Sequence, residues 1–146
     1  MMTLTLRGEL GRRLLIGVHG FERDAAEDPD DANWLRCSAE VEQGAFRGTV
    51  EASFTTNDFS CFLSEMDRLM ARESTAASFN TMEEALAFRI EVDRAGRATV
   101  VGKLREVQAG GPELSFNFES DLSFLTKTHA ELKDVVAAFP HRNAGG

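Results

Sequence analysis

Two cysteines, Cys37 and Cys61, are too few in 146 residues for a disulfide scaffold, and neither has CxxC or His-paired metal spacing. Both are read as reduced, small core side chains. Long apolar runs are also missing: the stretch from Leu14 to Val18 is far shorter than the ~20 residues a membrane helix needs. Arg7 and Glu9 interrupt the N-terminal apolar residues before a signal-peptide core can form, so no membrane association is expected and the chain is placed in the cytoplasm. Basic residues are outnumbered 16 to 24, for a formal charge of −8, and no basic stripe offsets this. Direct binding of nucleic acid is therefore disfavoured. Tyrosine is absent, which leaves Trp34 as the single large amphipathic aromatic.

What is present is the composition of a packed protein, with 42% hydrophobic and 27% charged residues. No Pro- or Ser-rich linker and no repeat of fixed period divides the chain, so one domain over residues 1–140 is expected, with 141–146 as a frayed tail. Leu4 and Leu6, then Leu14, Ile16 and Val18, alternate at period two around Gly8 and Gly11 and predict a hairpin. A second hairpin has Leu35, Cys37, Ala39 and Val41 on one strand face, a turn at Gln43-Gly44, and Phe46, Val50, Ala52 and Phe54 on the return.

The period then changes. Phe59, Phe62, Leu63, Met66, Leu69 and Met70 form the apolar stripe of a helix, capped by Thr55 or Thr56, and residues 74–78 read as loop. Leu86, Phe88, Ile90 and Val92 mark a strand, followed through turns at Arg94–Arg97 and Gly110–Pro112 by strands at Ala98–Val107 and around Leu114, Phe116 and Phe118. A second helix is predicted from a capping box at Thr128–Glu131, with Leu132, Val135, Val136 and Phe139 on its stripe and Pro140 as its stop. The expected class is α+β: a meander-rich, curved antiparallel sheet of six or seven strands covered by two amphipathic helices.

No catalytic pattern emerges. His19, His129 and His141 fit no HxH, HxxxH or HExxH spacing, so no metal site is expected. Cys37 or Cys61 could pair with His129 only through the fold, and both read as core. Glu83-Glu84 and Asp30-Asp31 are adjacent acids that point in different directions, unlike a glycosidase pair. Neither GxGxxG nor a P-loop occurs, and no cofactor is implied.

The segment from Glu22 to Asp31 holds six carboxylates and one base, which reads as a solvated loop. Asp24, Asp28, Asp30 and Asp31 are hard oxygen ligands, but the segment lacks the glycine and terminal glutamate of an EF-hand. Trp34 lies beside it, on the strand face shared with Arg36, Ser38 and Glu40. Asp30-Asp31-Ala32-Asn33-Trp34-Leu35, the helix after Thr55-Thr56, the Leu86 to Val92 strand, and the stretch from Leu114 to Asp121 together resemble the WapI family of immunity proteins, over residues 4–139. That resemblance implies a non-catalytic cytoplasmic protein that binds the C-terminal domain of a cognate toxin, a basic nuclease, and blocks it by occlusion. The contact residues expected under it are Asp24, Glu27, Asp28, Asp30, Asp31 and Trp34. A small-molecule or lipid-binding module, or an enzyme whose residues meet only in three dimensions, stands as the alternative.

Overall fold

The computed structural model describes residues 1–23, 29–107 and 111–143. Among these, eight strands form two separate four-stranded antiparallel meanders, β1-β2-β3-β4 and β5-β6-β7-β8. The first sheet comprises β1 (Met2–Arg7), β2 (Arg13–Phe21), β3 (Trp34–Gln43) and β4 (Phe46–Thr55). A four-residue helix, α1 (Pro29–Ala32), precedes β3, and α2 (Thr56–Met70) follows β4. The second sheet comprises β5 (Ala76–Asn80), β6 (Leu86–Val92), β7 (Arg97–Arg105) and β8 (Glu113–Asp121), with α3 (Leu122–Ala138) leaving its last strand.

The α+β class and meander pairing agree with the sequence, but the strands number eight and divide between two sheets. The division occurs at α2, which carries the chain away from β4 and packs against β5. The extra strand is β5, read from sequence as loop. Only Ala77 and Phe79 of β5 face inward, a signal too short to register as alternation. The second helix also begins earlier than expected. Asp121, not a capping box at Thr128, is its N-cap: the carboxylate accepts the Phe124 N–H at 2.9 Å. Thr128 is instead fully buried inside the helix, and its hydroxyl donates to the Thr5 carbonyl at 2.7 Å.

The layout is a duplicated ββββα unit, an internal repeat that residue identities do not reveal. Phe59, Phe62, Met66 and Leu69 are the buried stripe of α2; Leu125, Thr128, Leu132 and Val135 occupy the same steps of α3 and are also buried. Each helix packs against the first strand of the other unit, α2 on β5 and α3 on β1. One continuous apolar core results, drawn from both sheets and both helices. Its aromatic centre is Phe79, whose ring meets those of Phe54, Phe59, Phe62 and Phe88 at centroid distances of 5.3–5.7 Å.

Cys37 is wholly buried in this core, and desolvation pushes its thiol up to about 12. Cys61 departs from expectation, because it lies on the exposed side of α2.

Candidate functional site

Alternation along β3 turns Leu35, Cys37, Ala39 and Val41 into the core and leaves Trp34, Arg36, Ser38 and Glu40 on the opposite face. At the end of that face away from Trp34, charge is largely paired: Arg47 holds Glu40 at 2.7 Å, and Arg13 holds Glu42 at 3.3 Å. The outer face of the second sheet is similarly paired, with Arg97 on Glu119 at 3.2 Å and Arg89 on Glu91 at 2.9 Å.

The Trp34 end is built differently. The Glu22 N–H donates to the Trp34 carbonyl at 3.0 Å, and the Thr56 N–H donates to the Asn33 carbonyl at 3.0 Å, so the start of β3 is fastened from both sides. The Ser53 hydroxyl donates to the Glu22 carboxylate. Trp34 itself is half-buried. The Asp31 carboxylate reaches Arg23 at 3.9 Å with both side chains about half exposed, a loose surface pair. Asp30 is placed by its backbone in α1. Asp24, Glu27 and Asp28, which include two of the four oxygen ligands weighed against an EF-hand, lie outside the described residues.

What the sequence did not reveal is a C-terminal partner for this region. The Arg142 backbone N–H donates to Asn33 Oδ1 at 2.7 Å, Asn33 Nδ2 donates back to the Arg142 carbonyl at 2.8 Å, and the Arg142 guanidinium lies 3.6 Å over the Phe21 ring. Nothing in the sequence around Arg142 marks such a contact, because its partners are more than a hundred residues away.

The histidines show no common centre. His19 Nε2 lies 3.3 Å from Ser38 Oγ on an exposed sheet face. His129 is in the middle of α3, not in a first turn, with Nε2 2.6 Å from Asp67 of α2. His141 Nδ1 lies 3.4 Å from the Thr56 hydroxyl. Among the described residues no three His, Cys, Asp or Glu side chains gather as a metal set. Two surface hollows, one of about 510 Å³ around Leu10 and Phe124 and one of about 370 Å³ around Thr75 and Glu119, are open to solvent. No helix of the described residues is long and apolar enough to cross a membrane.

A family model described as the immunity protein WapI-like family matches residues 5–140. The chain belongs to that family. The match runs from the middle of β1 to just past α3, so it spans both ββββα units of this WapI-like chain except the first residues of β1. A solved structure of Trypanosoma bruciei MRP1/MRP2 is similar at 11% identity, covering 92% of this chain and 81% of that one with a TM-score of 0.49. No curated protein matches.

Proposed function

We propose that this WapI-like protein acts in the cytoplasm as a stoichiometric inhibitor, binding the C-terminal domain of a cognate toxin and covering its working surface without transforming anything itself. The observation that carries the proposal is the family match over residues 5–140, nearly the whole chain. The toxin domain is proposed to be a nuclease. Such an enzyme needs a basic cleft to grip nucleic acid, and a partner of charge −8 is drawn to that cleft by long-range attraction. This attraction raises the encounter rate more than it deepens affinity.

The contact surface proposed is the acidic segment, Asp24, Glu27, Asp28, Asp30 and Asp31, with Trp34 as the aromatic anchor at its border. Loose surface pairing of Asp31 supports this, since a carboxylate committed to a tight internal pair has less to offer a partner. The test is co-expression with the C-terminal domain of a candidate cognate toxin, sought in the reading frames that flank this one. Cells should survive with the wild-type protein and die when the five carboxylates are replaced by lysine. Survival with the charge-reversed protein would move the interface elsewhere; death with the wild type would overturn the inhibitor reading.

A further inference from the structure

We propose that Arg142 is a positioning residue for the partner-binding surface: it ties together the two stems of the acidic segment and thereby sets the directions of Asp31 and Trp34. This rests on the contact surface proposed above.

The chain leaves α3 at Phe139, whose ring meets Phe21 edge-on at 5.7 Å. Beyond Pro140 it runs back across the start of β3. Arg142 Nη2 donates to the Arg23 carbonyl at 2.8 Å, on the outgoing stem, and to the Ala32 carbonyl at 2.6 Å, on the returning stem. Its Nε donates to the same Ala32 carbonyl at 3.0 Å. The planar fork thus bridges both stems while its face rests on Phe21, a combination that suits guanidinium and not ammonium.

Asn33 completes the clamp. It is buried, exchanges two hydrogen bonds with the Arg142 backbone, and accepts the Thr56 hydroxyl at 3.3 Å. Asp31 immediately precedes the clamped Ala32-Asn33 pair and Trp34 immediately follows it. Fixing those two peptide units fixes where both neighbouring side chains point, and a surface ordered before encounter loses less freedom on binding. The core of α3, at Leu125, Leu132 and Val135, lies upstream and does not depend on the clamp.

The sign of the charge separates this role from plain electrostatics. Removing a cation beside an acidic surface should speed capture of a basic partner if charge alone mattered; positioning predicts the reverse. The experiment compares the whole chain as wild type, Arg142→Ala, Arg142→Lys and Asp31→Lys by amide exchange and by binding to the toxin domain that the co-expression test identifies. Arg142→Ala should leave the melting transition cooperative, speed exchange of the Glu22 and Thr56 amides about tenfold or more, and weaken toxin binding about tenfold. Arg142→Lys should restore each readout only in part, because an ammonium can stand between the two carbonyls as Nη2 does but supplies neither the Nε bond to Ala32 nor a planar face for the Phe21 ring. If Asp31→Lys weakens binding while Arg142→Ala leaves exchange or binding as in wild type, the positioning role is overturned and the contact surface stands. If Asp31→Lys binds as wild type, the contact surface itself fails and the inference falls with it.

Discussion

Glu131 of α3 and Thr5 of β1 meet across almost the full length of the chain: Glu131 Oε1 accepts the Thr5 N–H at 3.1 Å. Thr128, one turn earlier on the helix, donates to the Thr5 carbonyl at 2.7 Å, so α3 satisfies both backbone groups of Thr5 on the edge of β1. Glu131 also holds Arg7 through two bonds, at 3.1 and 2.8 Å. The duplicated unit repeats the device, because Glu65 stands at the equivalent step of α2 and accepts the Ser78 N–H of β5 at 3.1 Å.

Glu131→Ala therefore leaves a peptide N–H without its acceptor and strips the Arg7 guanidinium of both carboxylate bonds, leaving it the Thr5 carbonyl at 3.2 Å, and should destabilise by about 2 kcal/mol. Glu65→Ala removes the single equivalent bond and should lose about 1 kcal/mol. Urea unfolding of the two variants measures the difference; equal losses would remove the distinction between the two helix–edge contacts.

Phe79→Ala empties the centre of the aromatic cluster, where the side chain is 1% exposed and touches four other rings. The expected loss is about 3–5 kcal/mol, since the surrounding rings can only partly close the cavity. Phe79→Leu should keep the fold cooperative with a smaller loss. The check is thermal and urea unfolding, followed at the sole tryptophan.

The two cysteines should react very differently. Cys61 is exposed, whereas Cys37 is buried with its thiol pushed up to about 12, so negligible thiolate forms there near neutral pH. Titration of the native protein with an aromatic disulfide reagent should modify one thiol promptly, and the second only when denaturant is added. Prompt modification of both would contradict the packing of β3.

Two helix-capping carboxylates should impose opposite pH slopes. Burial raises Asp58 above its ordinary 3.8, although hydrogen bonds from Thr55 pull the other way. Its contribution to stability is complete below 3.8 and is lost as pH rises through the raised value. The Ser123 hydroxyl and then the Phe124 N–H hold Asp121 below 3.8, so its contribution is present above 3.8 and is lost as pH falls through the lowered value. Asp58→Asn should thus gain on wild type as pH rises from about 3 to 7, and Asp121→Asn should lose its disadvantage at the acid end. Urea midpoints taken across that range decide both signs.

Much of the fold was legible in one dimension. Alternation set out β2, β3, β6 and β8 because one face of each is buried, and the 3.6-residue stripe from Phe59 to Leu69 set out α2, leaving the structure to choose Thr55 over Thr56 as its cap. β5 was not legible: only Ala77 and Phe79 point inward, and its Ser78 N–H is satisfied by a helix that ends several residues earlier. The start of α3 was hidden by Ser123, Thr126 and Thr128, polar residues satisfied inside the fold: the Ser123 hydroxyl donates to the Asp121 carboxylate, and those of Thr126 and Thr128 donate to backbone carbonyls within the helix or, for Thr128, in β1 as well.

Residue order by itself determined the class, the local elements, the acidity and the family resemblance, because these depend on periodicity, composition and short segments whose signals travel along the chain. Only the tertiary structure decided that there are two sheets, that one ββββα unit occurs twice with each helix closing the other unit's edge, that Cys61 faces outward, and that Arg142 grips the start of β3. Those facts depend on contacts between residues far apart in sequence. Backbone groups and ring faces, which carry no distinctive residue signature, make the contacts, so they become visible only when the chain is folded.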